Sequence, residues 1–283
     1  YFVTSNLSNK ITRSITEISP IRQLADVETI SSDSLDIIED YDSLNSGWTS
    51  ETSPIVETNT PRIIKKKIQV HELYAQPKAT QKLIDDASID IEKWLGEKLI
   101  ISFANMENNA FINGDGEGKP RGLLSYPDGR GWGEIEQIKY RLNSTITAEA
   151  LFDLYFALKE QYVNRASFLM HKTTIQKVRM LKDKNNQYIW YPGLDRASPA
   201  TLLGIPVKSA VDMPVADDNN LTIAIADFKS AYKIVDRVGI KTLRDPFTDK
   251  PFVKFYTTKR VGGDVANYEA IKILNCTNSD VSR

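Results

Sequence analysis

"NGDGEGKPRG", residues 113–122, is the stretch on which the fold turns. Its four glycines and one proline mark an abrupt change of chain direction, and three kinds of ligand loop share that look. A phosphate-cradling loop needs glycine, four residues, then Gly-Lys-Ser/Thr. Here only three residues separate Gly114 from Gly118, and Lys119 is followed by Pro120, which has neither a hydroxyl nor an amide hydrogen. A dinucleotide loop needs a third glycine where Lys119 stands. A calcium loop fits Asn113, Asp115, Glu117 and Gly118, but places Leu124 where a bidentate glutamate is required. The stretch therefore reads as a tight turn whose glycines supply positive φ.

What the turn closes is a helix. Ser88 is a plausible N-cap, and Asp90 and Glu92 suit the positive end of the dipole. Ile91, Trp94, Leu95, Lys98, Leu99, Ser102, Phe103 and Met106 trace a helical stripe, weakened at Lys98 and Ser102. The spacing predicts a helix over 88–111, about 35 Å long and better suited to a spine than to a compact enzyme core. The first glycines of the turn stop it.

On the N-terminal side, residues 47–77 read as a long hairpin with a tip, "ETSPIVETNTP", rich in Thr, Glu and Pro. Its return strand alternates, with Ile64, Ile68, Val70 and Tyr74 on one face and Lys65, Lys67, Gln69 and His71 on the other. Lys66 and Glu72 interrupt the apolar face, so the strand is half buried and its three lysines stay solvated or meet an acidic partner. Residues 1–46, with acidic "DSLDIIEDYDS" at 33–43, read as an extended arm with one short helix and one strand. Such an arm buries little alone and needs a surface to lie on.

Beyond the turn, residues 147–235 read as an α/β unit. Leu151, Leu154, Tyr155, Leu158 and Tyr162 form an amphipathic stripe, "SFLMH" (167–171) a buried strand, and Thr173 with Gln176 a capping box. "TLLGIPVKSAVDMP" and "LTIAIADF" are strand-like. Residues 236–275 read as antiparallel β-structure turning at 245–251 and 262–264.

Composition narrows the function. The chain has 283 residues, 41% apolar and 26% charged, with net charge −1. That balance gives no general grip on nucleic acid or an anionic membrane. The longest apolar runs, such as "LIISFA" (99–104), are far too short to span a bilayer as a helix. Cys276 is the sole cysteine, and with only His71 and His171 it makes a poor metal or nucleophile set.

Several segments together resemble one family. "ISPIRQLA" (18–25), "GWTSET" (47–52) and the run "VHELYAQPKATQKLIDDASIDIEKWLGEKLIISFANMENNAFINGDGEGKPRGLL" (70–124) are similar to major capsid proteins of tailed bacteriophages. So are "LMHKTTIQKVRMLKD" (169–183), "LLGIPVKSAVDMP" (202–214), "IADFKSAYKIVDRVGIKTLRDP" (225–246) and "RVGGDVANYEAIKIL" (260–274). The match runs in order along nearly the whole chain, and the wording is nearest to versions from alphaproteobacterial prophages and gene transfer agents.

The resemblance implies an α+β, Hong Kong 97 (HK97)-type capsid fold. By analogy, 1–28 is an N-terminal arm, 47–77 an extended loop over a neighbouring subunit, and 29–46 with 78–146 a peripheral domain holding the spine helix. Residues 147–235 would be the axial domain, and 236–283 the peripheral domain's antiparallel return strands and tail. It further implies a non-enzymatic shell protein in a virion or particle head, assembled in the bacterial cytoplasm without cofactor, metal or membrane. Its partners would be itself as pentamers and hexamers, a portal or adaptor, a scaffold or maturation protease, and double-stranded DNA contained without sequence readout. Loss of an N-terminal scaffolding segment in many relatives would account for Tyr1 in place of methionine.

Candidate intersubunit contacts are Arg22, Trp48, Glu51, Glu57, Arg62, Lys65, Lys66, Lys67, Arg130, Arg244 and Arg260. Some relatives crosslink a loop lysine to a neighbour's asparagine beside a glutamate. Lys65–Lys67 occupy the corresponding region, and Asn267 and Glu269 are the nearest equivalents here. Two other readings stand beside this one. One is a soluble enzyme or small-molecule binder using His171, Asp183, Asp212 and Asp227; the other is an encapsulin-like shell around protein cargo.

Overall fold

The computed structural model describes residues 19–40, 63–86, 91–141, 146–182, 185, 187, 188, 190, 201–216 and 220–277. In chain order the elements are α1 (Pro20–Leu24), β1 (Asp26–Ile30), β2 (Ser34–Asp40), β3 (Ile63–Gln69), β4 (His71–Ala75), β5 (Lys78–Thr80), α2 (Gln81–Asp86) and α3 (Ile91–Asn113). A 3₁₀ turn at Leu123–Ser125 leads to β6 (Gln137–Arg141), α4 (Ala148–Ala157), α5 (Glu160–Val163), β7 (Ser167–Met170) and α6 (Lys172–Arg179). Then come β8 (Thr201–Leu202), β9 (Ile205–Ser209), β10 (Asn220–Ala226), α7 (Phe228–Ala231), β11 (Tyr232–Asp245), β12 (Phe252–Val265) and β13 (Ile271–Thr277).

These strands form two sheets and a ribbon. The first sheet runs β1-β11-β12-β4, with β5 also on β12. Its backbone is the long antiparallel β11–β12 pair, and β1 adds to β11 in parallel. Along β12, Val253, Phe255, Thr257, Lys259 and Val261 are buried, while Tyr256 and Arg260 on the alternate face are exposed. The second sheet runs β6-β13-β10-β7-β9-β8. All four residues of β7 and the last five of β10 are buried, as a central strand covered on both faces requires. β8 and β9 meet through Leu203 (φ 53°) and Gly204 (φ 80°), two left-handed residues that close a tight hairpin. The ribbon pairs β2 with β3.

One apolar cluster passes through both sheets. It joins Ile21, Phe111, Tyr232 and Val261 on the side of the first sheet to Leu169, Ala224, Ala226 and Ile273 of the second. A second cluster packs α4 under the second sheet through Leu151, Leu154, Phe168 and Ile225.

Several sequence expectations change. The outgoing ribbon strand is β2, within the acidic stretch, so the ribbon begins at residue 34 and not 47. Its return strand ends at Gln69, and β4 joins the first sheet instead. β6 and β13 belong to the second sheet with β10, so the divisions at 146/147 and 235/236 do not follow the sheet boundaries. The cap of α6 is His171, whose Nδ1 accepts from the Thr173 amide, and not Thr173 itself. The buried stripe of α3 is Phe103, Ala104, Glu107, Asn108, Phe111 and Ile112; Trp94 and Met106 are exposed. Ser88 falls outside the described residues.

The turn at 113–122 works partly as expected. Gly116 (φ 88°) and Gly118 (φ 67°) occupy left-handed backbone. Gly114 and Gly122 are required for another reason. A Cβ on Gly114 would lie 2.1 Å from the Pro120 carbonyl oxygen, and one on Gly122 would lie 2.5 Å from the Ile112 carbonyl. The Gly122 amide donates to the Gly114 carbonyl, so two backbone segments pass at contact distance just beyond the helix end.

Candidate assembly surfaces and the charges behind them

Buried charge organises the interior of the first sheet. Ser19 caps α1, accepting from the Arg22 amide, and its hydroxyl donates to Asn108 on α3 at 2.5 Å. One turn on, the Arg22 guanidinium enters the space between α3 and the sheet. Its Nε donates to Glu107 Oε2 at 2.7 Å, and its two terminal nitrogens donate to both oxygens of Asp236 at 2.7 and 2.8 Å. Lys259 Nζ reaches Glu107 Oε1 at 2.5 Å as an ion pair without hydrogen-bond alignment, and stands 4.0 Å from Asp236. Two cations and two carboxylates thus neutralise one another out of water, as isolated buried charges could not.

The titration shifts follow from that packing. Burial alone would lower the Arg22 pKa, but the bonds and charges of Asp236 and Glu107 outweigh it and hold it above the ordinary value. Burial alone would raise Asp236, yet the forked bond from Arg22 holds its carboxyl below the usual range. Lys259 goes the other way: burial lowers it, helped by repulsion from Arg22 and opposed by Glu107.

Arg22 is therefore committed within its own chain, which corrects its reading as an intersubunit charge. Sequence reasoning missed Glu107, Asp236 and Lys259. The signal was present, since Glu107 lies one turn from both Phe103 and Phe111, and Lys259 lies on the inward alternation of β12.

The lysine triplet splits in the same way. Lys65 and Lys67 are exposed on the ribbon, whereas Lys66 points inward and is nearly buried. Its Nζ donates to the Val265 carbonyl and the Tyr268 hydroxyl, both at 2.6 Å, and to the Tyr126 hydroxyl at 3.3 Å. Asp264 lies 3.3 Å away, itself hydrogen-bonded by Tyr126. Lys66 thus departs from the expected solvated row. Asn267 donates to the Tyr162 hydroxyl, and Glu269 pairs with Lys159 at 2.6 Å.

The other described candidates face outward. Arg130, 83% exposed, pairs with Glu136. Arg244 pairs with Glu92 at the start of α3, and Arg260 with Glu72 and Asp33. Trp48, Glu51, Glu57 and Arg62 lie outside the described residues. Large apolar side chains are also exposed: Phe156 on α4 (76%) and Ile38 on the ribbon (66%), neither singled out by the sequence reading, and Tyr74 on β4 (67%), which the sequence places on the apolar face of the strand. Ile38, Trp132 and Phe156 line one open cleft between the ribbon, the 129–136 loop and the end of α4. Exposed apolar surface of this kind is characteristic of binding faces.

The residues of the enzyme reading have separate employments. His171 caps α6, Asp227 holds Arg165 at 2.8 Å and accepts from Ser230, and the Asp212 carbonyl accepts from Asn113. Asp183 lies outside the described residues. Among the described residues no cluster of His, Cys, Asp and Glu has the makings of a metal site, and no helix is long and apolar enough to cross a membrane.

A family model described as the phage capsid family matches residues 1–276. The chain belongs to the phage capsid family. The capsid of a native GTA particle shares 40% identity and superposes with a TM-score of 0.86, covering 92% of this chain and 90% of that one. The major capsid protein of Escherichia phage T5 is 21% identical over 263 residues, 90% of this chain. The chain spans 57% of the length of that curated relative. The holo-SrpI encapsulin complex of Synechococcus elongatus shares the fold at 13% identity and a TM-score of 0.65, covering 94% of this chain and 91% of that one. The architecture is thus the α+β, Hong Kong 97-type capsid fold.

Proposed function

We propose that this chain is the structural unit of a closed particle shell of the phage or gene-transfer-agent kind, built from copies of itself. The observation that carries the reading is the 40% identity, across nine-tenths of both chains, to the capsid of a GTA particle. The surface supports it. A two-stranded ribbon pairs outside both sheets, and apolar side chains that a solitary domain would hide point outward.

In this reading residues 1–28 form an arm, the ribbon with 41–62 reaches a neighbouring copy, and the α3-backed first sheet forms the peripheral part. The second sheet with α4 forms the axial part, which meets its equivalents in pentamers and hexamers. Lys65, Lys67, Arg130, Arg244 and Arg260, with Trp48, Glu51, Glu57 and Arg62, are the contacts proposed between copies. Lys66 and Arg22 hold the contact elements in place from within. The shell would assemble in the bacterial cytoplasm, with a portal, a scaffold or protease, and DNA as partners; the chain itself would catalyse nothing. Near-neutral net charge favours containment of DNA over a general grip on it.

Sizing chromatography followed by negative-stain microscopy tests this. Rings, tubes or shells are expected, with nuclease-protected nucleic acid inside particles recovered from cells. A compact monomer under all assembly conditions would overturn the proposal, and particles filled with protein would replace DNA by protein cargo.

A further inference from the structure

We infer that Lys66 is a latch that fixes the angle of the β2–β3 ribbon against the body. A partner engaging the ribbon at another angle must first withdraw its ammonium. The inference concerns the geometry of one chain and stands whether or not copies form a shell.

The ribbon is joined to the body over a short length. Its base is closed by the Val70 amide donating to the Asp33 carbonyl. Above that, β3 crosses β12 at Gly262, where a Cβ would lie 2.4 Å from the Gln69 carbonyl oxygen. Among the described β3 side chains only Ile68 and Lys66 are buried. Ile68 is an apolar peg, and apolar contact is non-directional, so it resists separation better than rotation. Lys66 supplies direction. Its ammonium enters a socket of the Val265 carbonyl, the Tyr268 and Tyr126 hydroxyls and Asp264, with the Tyr268 ring centroid 4.7 Å away.

Socket and ribbon come from distant parts of the chain: Lys66 and Tyr268 are 202 positions apart. The socket is itself stiff, because Tyr126 and Tyr268 pack edge to face at 5.4 Å and Arg121 stacks on Tyr126 at 4.0 Å. Lys65 and Lys67 point away from it, so the three adjacent lysines have unlike roles.

The test places paired spin labels on the ribbon and the body, at Lys65→Cys and Lys229→Cys in a Cys276→Ala background, and reads their distance distribution by pulsed electron resonance. A single narrow distribution is expected with Lys66 present. Lys66→Met, which keeps the stem and removes the charge, should broaden it at least twofold, and Lys66→Arg should restore most of the narrowing. Tyr268→Phe keeps the lysine and removes one acceptor, and should give an intermediate width. An unchanged narrow distribution in Lys66→Met and Tyr268→Phe would overturn the latch. Should Lys66→Met fail to fold, Tyr268→Phe alone decides by the same criterion.

Discussion

Arg22 and Asp236, 214 positions apart, share two parallel hydrogen bonds of 2.7 and 2.8 Å beneath the spine helix. This fork ties α1, the first helix of the described chain, to the middle of β11, while Glu107 and Lys259 complete the cluster from α3 and β12. Arg22→Met should destabilise the unassembled chain by about 3–5 kcal/mol, the usual cost of stranding buried carboxylates. Denaturant unfolding of the monomer measures it. Lys259→Met should cost distinctly less, since its charge is already disfavoured by burial and Glu107 keeps its bond to Arg22.

Acid should act through Asp236. Its folded pKa lies below the ordinary value of 3.8, so its contribution to stability is present above that pH and is lost as pH falls through and below it. Stability measured between pH 6 and pH 2, set against that of Asp236→Asn, should show a weaker acid dependence in the variant. Parallel curves would remove Asp236 from the account.

The glycines of the 113–122 turn should separate into two classes. Gly114→Ala and Gly122→Ala force a Cβ into backbone and should lower stability by about 2 kcal/mol or more. Gly118→Ala meets open space and pays only for its φ of 67°, about 1–2 kcal/mol. Thermal melts of the three variants give the order.

Surface residues should divide stability from assembly. Arg130→Ala loses an exposed ion pair worth about 0–1 kcal/mol, and should leave the monomer's melting temperature nearly unchanged. Phe156→Ser removes an exposed ring and should also spare the fold. If these faces meet between copies, both variants reduce particle yield in sedimentation while the monomer stays folded. Equal yields would take Arg130 and Phe156 off the contact surface.

Legibility followed periodicity and failed where charge carried the structure. The apolar runs of β7 and β10 and the stop after α3 were readable because burial and chain reversal leave local marks. The ribbon's outgoing strand was not, because "SLDIIED" looks like a solvated arm until it is set against "IIKKKIQ". Asp36 then lies opposite Lys67, and Ile38 opposite Lys65. Nor did the triplet reveal its middle member, since Lys66 needs acceptors from residues 126 and 264–268. β13 reads in the sequence as one more strand of the run that holds β11 and β12, and only its pairing with β10 and β6 places it in the second sheet. Arg22 reads as an outward charge in the sequence, because its partners are 85 and 214 positions away.

The parallel seating of β1 on β11 sets a timetable. Asp26 lies beside Lys233, so a strand made early has no place to dock until some two hundred further residues have left the ribosome. At about 5–20 residues per second that interval is about 10–40 seconds. Throughout it Arg22 can meet Glu107 of α3 but not the forked carboxylate of Asp236, and Ile21 lacks the Tyr232 and Ile234 part of its apolar cluster. The α1–β1 segment thus takes its final seat only after β11 has been made, and it stays open to capture until then.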